Sequence, residues 1–456
     1  MFNFIFSPDK ASKKPLYEQL YSYIIQEIHA KKLKENERMP SKKALSAHLS
    51  ISVNTIETAY ELLVQEGYLK AVPRSGFYVQ HIENPIGSDN IVMEEEFTET
   101  KNYTVDFRTN AVDIKSFPYS TWVKLSKEVM YGNPELLNSG EVKGDYNLRE
   151  NIAKYLHEFR GVNCSPRQII VGAGIEYLLM LITEILGNNR CYALENPGYG
   201  KIQLLLKNSG CRMNYISLDE KGLSASELRK TNSDTVYITP SHQFPTGIIM
   251  PIDRRIELLN WAGEADNRYI IEDDYNSEFN FSKRPITALQ GIFDSEKVIY
   301  LNTFSRVLAP SIRIAYMVLP KKLLKQYEER FYRYSSTVPR FEQHTLSRFI
   351  AGNYLSRHLN RVKNIYRKRR DLLIEAIEAS PYDIEISGEK AGLHLLLSSP
   401  DANSIFELCL NHGIRLYNSD DYYFHPLKNS KSTLIAGYAG VSDEDIEYLK
   451  AVLSKK

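Results

Sequence analysis

Residues 298–320 read VIYLNTFSRVLAPSIRIAYMVLP, and this stretch decides the fold of the larger part of the chain. Two apolar runs, 298–301 and 314–319, flank a polar turn at 302–305 that is followed by Arg306. Short apolar runs bounded by turn residues are typical of buried strands. The stretch therefore predicts a strand, a loop that contains Arg306, and a second strand.

Similar apolar runs recur before this stretch and alternate with helical segments. The runs that predict strands are 168–171, 191–194, 235–239 and 269–271, and the helical patterns include 176–186 and 254–264. This alternation is typical of an α/β fold with a mostly parallel sheet. In such folds the ligand-binding groups lie in loops beyond the strand ends.

Those loops carry residues suited to a phosphorylated aromatic ligand. The turn 172–174 opens a predicted helix, whose backbone N–H groups can bind phosphate, and Tyr199 can stack on a planar ring. Asp273 and Tyr275 point to the same side of an extended strand, and Arg313 offers a fork of donors. Taken alone, each of these features also has an ordinary structural explanation.

The first eighty residues have a different pattern. Apolar residues from Leu16 to Ile28 recur at helical spacing, Ser41 and Ser52 can cap two further helices, and a turn joins two short strand-like segments. The second and third helices and the two wing strands are predicted at 42–49, 52–64, 68–70 and 76–79. This pattern predicts a winged helix-turn-helix domain over residues 1–80, whose third helix enters the major groove of double-stranded DNA.

Basic residues surround the predicted groove-facing edge of this domain. They are Arg38, Lys42, Lys43 and Arg74. Phosphates of a bound duplex would lie there, which favours DNA binding. The alternative is a small helical protein-interaction module in which these residues form a solvated face.

The chain as a whole has the composition of a multidomain globular protein. Its 456 residues exceed what one core usually organises, and residues 81–102 are acidic and predict a flexible linker. Neither a signal peptide nor an apolar run of membrane length is recognisable, and the four cysteines have no metal or redox spacing. We expect a reduced, cytoplasmic protein.

The segments PLYEQLYSYI, RMPSKKALSAHLSISVNTIETAYELLVQEGYL and RSGFYV resemble the GntR-type winged-helix family. Val53 stands where that pattern often has arginine, so the preferred DNA sequence is expected to differ from that of relatives. The resemblance implies DNA contacts from Arg38, Ser41, Lys43, Ser52, Asn54, Thr55 and Gly76.

The motifs GAG, ENPGY, SHQFPTG, EDDY and TFSR…SIRIAY occur in the order found in pyridoxal-phosphate (PLP) enzymes of aminotransferase fold type I. Together with the winged helix, the chain resembles the MocR-type transcriptional regulators. The resemblance implies an aminotransferase-like domain over 103–456, made of a large α/β domain and a smaller C-terminal α+β domain at about 321–456. It also implies PLP as the cofactor and a homodimer.

The resemblance assigns roles by position. Asp273 would face the pyridine nitrogen, Tyr275 the ring hydroxyl, and Tyr199 would stack on the ring. His242, which alone is more typical of a structural histidine, joins the candidates through the SHQFPTG loop. The residues implied to hold the phosphate are Ala173, Gly174, Thr303, Ser305 and Arg313.

Two positions depart from the family pattern. Arg306 stands where fold type I has the Schiff-base lysine, and arginine neither deprotonates in proteins nor acts as a good nucleophile. We therefore expect no catalytic residue there and PLP that is held non-covalently. Lys201 stands where the MocR-type regulator that responds to γ-aminobutyrate has an arginine for the effector carboxylate, so Lys201 is the candidate effector contact.

The sequence thus predicts a cytoplasmic, homodimeric transcriptional regulator. It would bind operator DNA and sense a small molecule, either PLP or a preformed PLP–amino acid adduct. Two alternatives stay open: a PLP-dependent aminotransferase with an accessory DNA-binding head, and an effector-independent regulator with a degenerate pocket.

Overall fold

The computed structural model describes residues 6–9, 14–82, 103–187, 189–281, 286–292, 296–390, 392–425 and 433–454. The chain separates into two compact units, Met1–Thr100 and Lys101–Lys456. We call them the N-terminal unit and the C-terminal unit. The predicted acidic linker falls, from residue 83 onward, outside the described residues.

The N-terminal unit is a winged helix. Ser41 and Ser52 cap the second and third helices, because their hydroxyls accept hydrogen bonds from the N–H groups of Ala44 (3.2 Å) and Thr55 (3.1 Å). The two strands pair antiparallel and form the wing. Its elements are α1 (Leu16–His29), α2 (Lys42–Leu49), α3 (Val53–Gln65), β1 (Leu69–Val72) and β2 (Gly76–Val79). The fold predicted for this part of the chain is confirmed.

The C-terminal unit alternates strands and helices, as predicted. Its strands are β3 (Val105–Asp106), β4 (Ile169–Gly172), β5 (Cys191–Asn196), β6 (Arg212–Asp219), β7 (Gly222–Leu223), β8 (Thr235–Ile238), β9 (Tyr269–Asp273), β10 (Val298–Thr303), β11 (Ala315–Val318), β12 (Glu385–Ser387), β13 (His394–Ser398), β14 (Ile414–Arg415), β15 (Tyr417–Asn418) and β16 (Thr433–Gly437). Its helices are α4 (Tyr119–Gly132), α5 (Tyr146–Arg160), α6 (Ile175–Leu186), α7 (Gly200–Asn208), α8 (Ala225–Arg229), α9 (Ile252–Gly263), α10 (Lys321–Phe331), α11 (Arg340–Ala351), α12 (Tyr354–Glu378), α13 (Ala402–Asn411) and α14 (Asp443–Leu453).

The main sheet has the strand order β4-β11-β10-β9-β8-β5-β6-β7. The pairs β10/β9, β9/β8, β8/β5 and β5/β6 are parallel, while β11 runs antiparallel to both β10 and β4. The carboxyl ends of β4, β5, β8, β9 and β10 therefore meet at one edge of the sheet. That edge is where a doubly wound α/β fold binds its ligands.

Helices cover both faces of this sheet. Ile270 packs with Trp261 of α9 on one face, and the next residue, Ile271, packs with Ile182 of α6 on the other. Successive strand residues point to opposite faces, so a strand buried on both sides has a continuous apolar run. No helix in the described part of the chain is long and apolar enough to cross a membrane.

A smaller sheet with the order β12-β13-β16-β15 follows, and the helices α12, α13 and α14 belong to the same part of the chain. This is the smaller α+β domain that the sequence predicts. The strand β6, in contrast, was not expected. It lies near the edge of the main sheet and carries Arg212, Asn214 and Ser217, so it lacks the apolar run that marks the inner strands.

A buried ion pair fixes the chain just beyond β9. Arg160, the last residue of α5, donates to Asp274 through Nε (2.7 Å) and Nη2 (3.0 Å), and the two side chains are 3% and 0% exposed. Tyr300 and Ser277 donate to the same carboxylate at 2.5 and 2.9 Å. Burial acts to raise the pKa of Asp274, but the Arg160 charge holds it below its usual range.

We predict that Asp274→Ala lowers the free energy of unfolding of the C-terminal unit by about 3–5 kcal/mol, because it leaves the Arg160 guanidinium buried and unpaired. Urea unfolding followed by tryptophan fluorescence measures this, since both tryptophans, Trp122 and Trp261, lie in that unit. Asp253→Ala is the control, because Asp253 is about half exposed and pairs with Lys221 at the surface. A similarly small change in both variants would contradict the prediction.

Candidate functional site

A cavity of about 350 Å³ lies at the edge of the main sheet where the parallel strands end. The loops that follow β4, β5, β9 and β10 supply most of its polar wall. Among the lining residues are Gly174, Glu176, Glu195, Tyr199, Lys201, Tyr237, Asp273, Tyr275, Thr303, Ser305, Arg306 and Arg313.

Asp273 is a carboxylate in this wall that is only partly satisfied. The Tyr237 hydroxyl donates to Oδ2, while Oδ1 is buried and has no hydrogen-bond partner among the described residues. Burial raises the pKa of Asp273 to about 7, although the Tyr237 hydrogen bond acts to lower it. Asp273, which lines the cavity, thus has one acceptor oxygen without a partner among the described residues.

Glu195, at the end of β5, is a second buried carboxylate of this kind. Its Oε2 accepts from the N–H (3.2 Å) and the hydroxyl (2.7 Å) of Thr239, while Oε1 has no partner among the described residues. Burial raises the pKa of Glu195 to about 7. The sequence analysis did not select Glu195. Like Asp273, however, it is an acidic residue at the carboxyl end of a buried strand, and this position could have identified it.

Asp274 is excluded from the cavity wall. The sequence leaves it open as a substitute for Asp273, but its carboxylate is bonded to Arg160, Tyr300 and Ser277 on the other side of the chain. Adjacent residues of an extended strand point in opposite directions, which separates the two acids.

Tyr275 lines the cavity and His242 lies behind it. The Nδ1 atom of His242 is 3.2 Å from the Tyr275 hydroxyl. His242 also fills the space beside Gly392, where a Cβ atom would lie 2.1 Å from the His242 ring. The histidine therefore contacts a lining residue and does not line the cavity itself.

Arg306 points its guanidinium into the cavity. Nη1 donates to the carbonyl oxygen of Thr109 at 2.7 Å, and the guanidinium carbon lies 5.8 Å from the centre of the Tyr275 ring. Burial lowers the pKa of Arg306, but a guanidinium keeps its proton in proteins. Because a guanidinium has five N–H donors, Arg306 has capacity left for an anionic group of a ligand.

Another part of the cavity wall carries several groups that can donate hydrogen bonds. Gly174 has φ +97° and directly precedes α6, whose first turn presents backbone N–H groups. The hydroxyl of Thr303, the last residue of β10, donates to the hydroxyl of Ser305 at 3.0 Å. Arg313 lies beside Gly174, with Nη2 3.3 Å from the carbonyl oxygen of Ala173. These groups supply the donors that a phosphate requires.

The structure brings most of the predicted cofactor residues together around this cavity. Those that line it are Gly174, Tyr199, Asp273, Tyr275, Thr303, Ser305, Arg306 and Arg313, together with the predicted effector residue Lys201. Ala173 does not line it, and its backbone N–H donates to the Thr337 hydroxyl at 3.0 Å and is not left for a phosphate. The wall thus combines hydrogen-bond donors that suit an anionic group with a carboxylate that suits a donor nitrogen.

In the N-terminal unit, the predicted DNA contacts lie on α2, on the start of α3 and on the wing. Lys42 lies 5.5 Å from the Phe77 ring and pairs with Glu57 of α3 at 2.5 Å, so part of its charge is neutralised within the protein. The backbone of Arg38 forms an isolated antiparallel β-bridge with Tyr78 of the wing, and its side chain lies beside Gly76. The predicted contacts with exposed side chains are Arg38, Ser41, Lys43, Ser52, Asn54 and Arg74.

Two family models match the chain. Residues 16–79 match the gntR family of bacterial regulatory proteins, and residues 104–453 match aminotransferase class I and II. The chain is 38% identical over 443 residues to the uncharacterized HTH-type transcriptional regulator YdeL of Bacillus subtilis, which covers 95% of this chain and 94% of that protein.

One further relative and one solved structure are also similar to the chain. The probable rhizopine catabolism regulatory protein MocR of Rhizobium meliloti is 29% identical over 456 residues, which cover 95% of this chain and 92% of that protein. The crystal structure of kynurenine aminotransferase from Pyrococcus horikoshii matches with a TM-score of 0.68 and 25% identity, over 78% of this chain and 91% of that one. The chain therefore belongs to the MocR-type transcriptional regulators, in which a GntR-type DNA-binding domain is fused to an aminotransferase-like domain.

Proposed function

We propose that the aminotransferase-like domain of this regulator senses PLP, or a preformed PLP–amino acid adduct, which it holds without a covalent bond. The observation that carries the proposal is Asp273, a residue of the cavity wall whose buried Oδ1 has no partner among the described residues. A protonated ring nitrogen satisfies that oxygen. A phosphate satisfies the donors of the wall.

The lining residues fit PLP as a ligand. Asp273 would accept the proton of the ring nitrogen, Tyr275 would bond the ring hydroxyl and Tyr199 would stack on the ring. Phosphate would be held by Gly174, Thr303, Ser305 and Arg313, with Ala173 as part of the same turn. When bound, PLP supplies an electron-withdrawing ring and an aldehyde that reacts with amines.

Arg306 is the reason for proposing sensing rather than catalysis. By the resemblance of the TFSR motif, it corresponds to the Schiff-base lysine of the fold type I enzymes, and a guanidinium provides neither a neutral amine nor a group that shuttles protons. Its remaining N–H donors suit a carboxylate, which an adduct with an amino acid would present. An aminotransferase with an accessory DNA-binding head is therefore the weaker alternative.

The regulator is proposed to act as a cytoplasmic homodimer on operator DNA. Dimerisation is supported by the exposed apolar side chains of α4 and the turn after it, of which Tyr131 is 89% exposed. The others are Tyr119, Val123, Met130 and Leu137. Ligand binding would change DNA binding only if the ligand has different affinities for two states of the dimer.

The first test is titration with PLP. We expect the native chain to bind PLP saturably in calorimetry and to release it on dialysis after borohydride treatment, because Arg306 forms no reducible bond. Arg306→Lys should bind PLP with a new absorbance band and be trapped covalently by borohydride. Arg306→Gln is the control, since it removes the arginine without supplying an amine.

Two results would contradict this proposal. Covalent trapping by the native chain at another lysine would assign the amine elsewhere and revive the enzyme alternative. Failure of both the native chain and the lysine variant to bind PLP would leave an effector-independent regulator or a different ligand.

The second test concerns the DNA contacts. If Arg38 and Lys43 contact phosphates, Arg38→Ala and Lys43→Ala should each reduce the slope of log affinity against log salt by roughly 0.9, because each phosphate contact releases counterions. Fluorescence anisotropy with duplex DNA at several salt concentrations measures the slope. Lys32→Ala is the control, because Lys32 is exposed and pairs with Glu27 at the end of α1. Unchanged slopes for both test variants would contradict this location of the interface.

A further inference from the structure

The proposed anion site already holds a carboxylate. Glu176, in the first turn of α6, pairs with Lys201 through Oε1 (2.8 Å) and with Arg313 through Oε2 (2.7 Å). All three side chains line the cavity. One anion thus lies between two of the cations that line the cavity.

The local geometry holds the carboxylate closely. A Cβ atom at residue 174 would lie 2.3 Å from Nη2 of Arg313 and 2.8 Å from Oε2 of Glu176, so the contact depends on Gly174. Glu176 therefore lies in the first turn of α6 and accepts from two cationic side chains, which are donors that a phosphate also uses at a helix N-terminus.

The electrostatics agree with this geometry. Burial acts to raise the pKa of Glu176, but the hydrogen bonds from Lys201 and Arg313 outweigh it and lower the pKa to about 2. The carboxylate is thus ionised at neutral pH. The three side chains together carry one net positive charge, whereas the two cations alone would carry two.

We propose that Glu176 is a tethered internal anion that competes with the anionic group of the ligand and sets the concentration at which the regulator responds. The inference rests on the proposed function, because it concerns the same cavity. A phosphate monoester carries close to two charges above about pH 6, so it can displace the single charge of Glu176. Because the displaced carboxylate gives up both cations, the ligand binds more weakly than it would without Glu176.

Displacement of the Glu176 carboxylate also breaks an ion pair between two helices. The contact between Glu176 and Lys201 joins α6 to α7, and an anion that takes Lys201 removes this contact. The internal ion pair and the bound ligand are then mutually exclusive. This exclusion gives the occupied and empty cavities different contacts between elements, which a sensor requires.

The test compares phenyl phosphate binding by the native full-length chain and by Glu176→Gln, with isothermal titration calorimetry at about 10 mM ionic strength, where screening is weak. We expect Glu176→Gln to bind at least about tenfold more tightly, because both cations become available. Glu328→Gln is the matched control. Glu328 also bridges a lysine and an arginine, Lys143 and Arg167, both at 2.8 Å, and it lies outside the cavity wall.

Each outcome has a distinct meaning. Equal affinities for the native chain and Glu176→Gln overturn this inference and leave the proposed function standing. If the native chain, Glu176→Gln and Arg313→Gln all fail to bind phenyl phosphate, the proposed anion site itself is overturned. A tenfold gain in Glu328→Gln as well would indicate a net-charge effect and overturn the inference. If Glu176→Gln does not fold, Glu176→Asp is measured instead, and its shorter side chain, which cannot bridge both cations, should give a smaller gain.

Discussion

The buried ion pair between Arg160 and Asp274 is the constraint on which the site depends. It joins the end of α5 to the residue that follows β9, in a place with almost no water to solvate either charge. Because an unpaired charge there is costly, the chain has little freedom at this point. Asp273 and Tyr275, the residues on either side of Asp274, are thereby directed into the cavity.

The two neighbouring acids show how burial alone does not decide the state of a carboxyl group. Asp274 is paired with a guanidinium, and its pKa lies below the usual range, whereas Asp273 has one phenol donor and a pKa raised to about 7. The difference is the supply of partners inside the protein. A carboxyl group that the protein leaves half satisfied is available to a ligand, and one that is fully satisfied serves the fold.

The helix caps, the strands and several residues of the cavity wall could be predicted from the sequence, because they depend on residues that are close together in the chain. The serines that cap α2 and α3 precede their helices directly, and the apolar runs of β9 and β10 end in the polar residues that line the cavity. The alternation of side chains along a strand was enough to predict that Asp273 and Tyr275 share a side. Interactions within a few residues of each other leave a pattern that a single sequence retains.

The contacts between distant residues were not readable. Glu176 and Lys201 are 25 residues apart and meet because α6 and α7 lie side by side, and Tyr237 reaches Asp273 through the register of β8 against β9. The strand β6 was not predicted because it lies next to the last strand of the sheet and most of its side chains are partly or fully exposed, so it has no continuous apolar run. Such contacts depend on tertiary packing, which periodicity does not encode.

The place of β11 in the sheet has a consequence for how the molecule is made. β4 pairs in the main sheet with β11, about 145 residues later in the chain, where Gly172 lies opposite Ala315. A ribosome must therefore synthesise beyond residue 318 before the strand that precedes Gly174 gains its neighbour. Pairings across such long loops cost closure entropy and slow folding. The pairing of β4, which precedes the Gly174 part of the cavity wall, thus forms only after the nascent chain has already completed β5, β8 and β9.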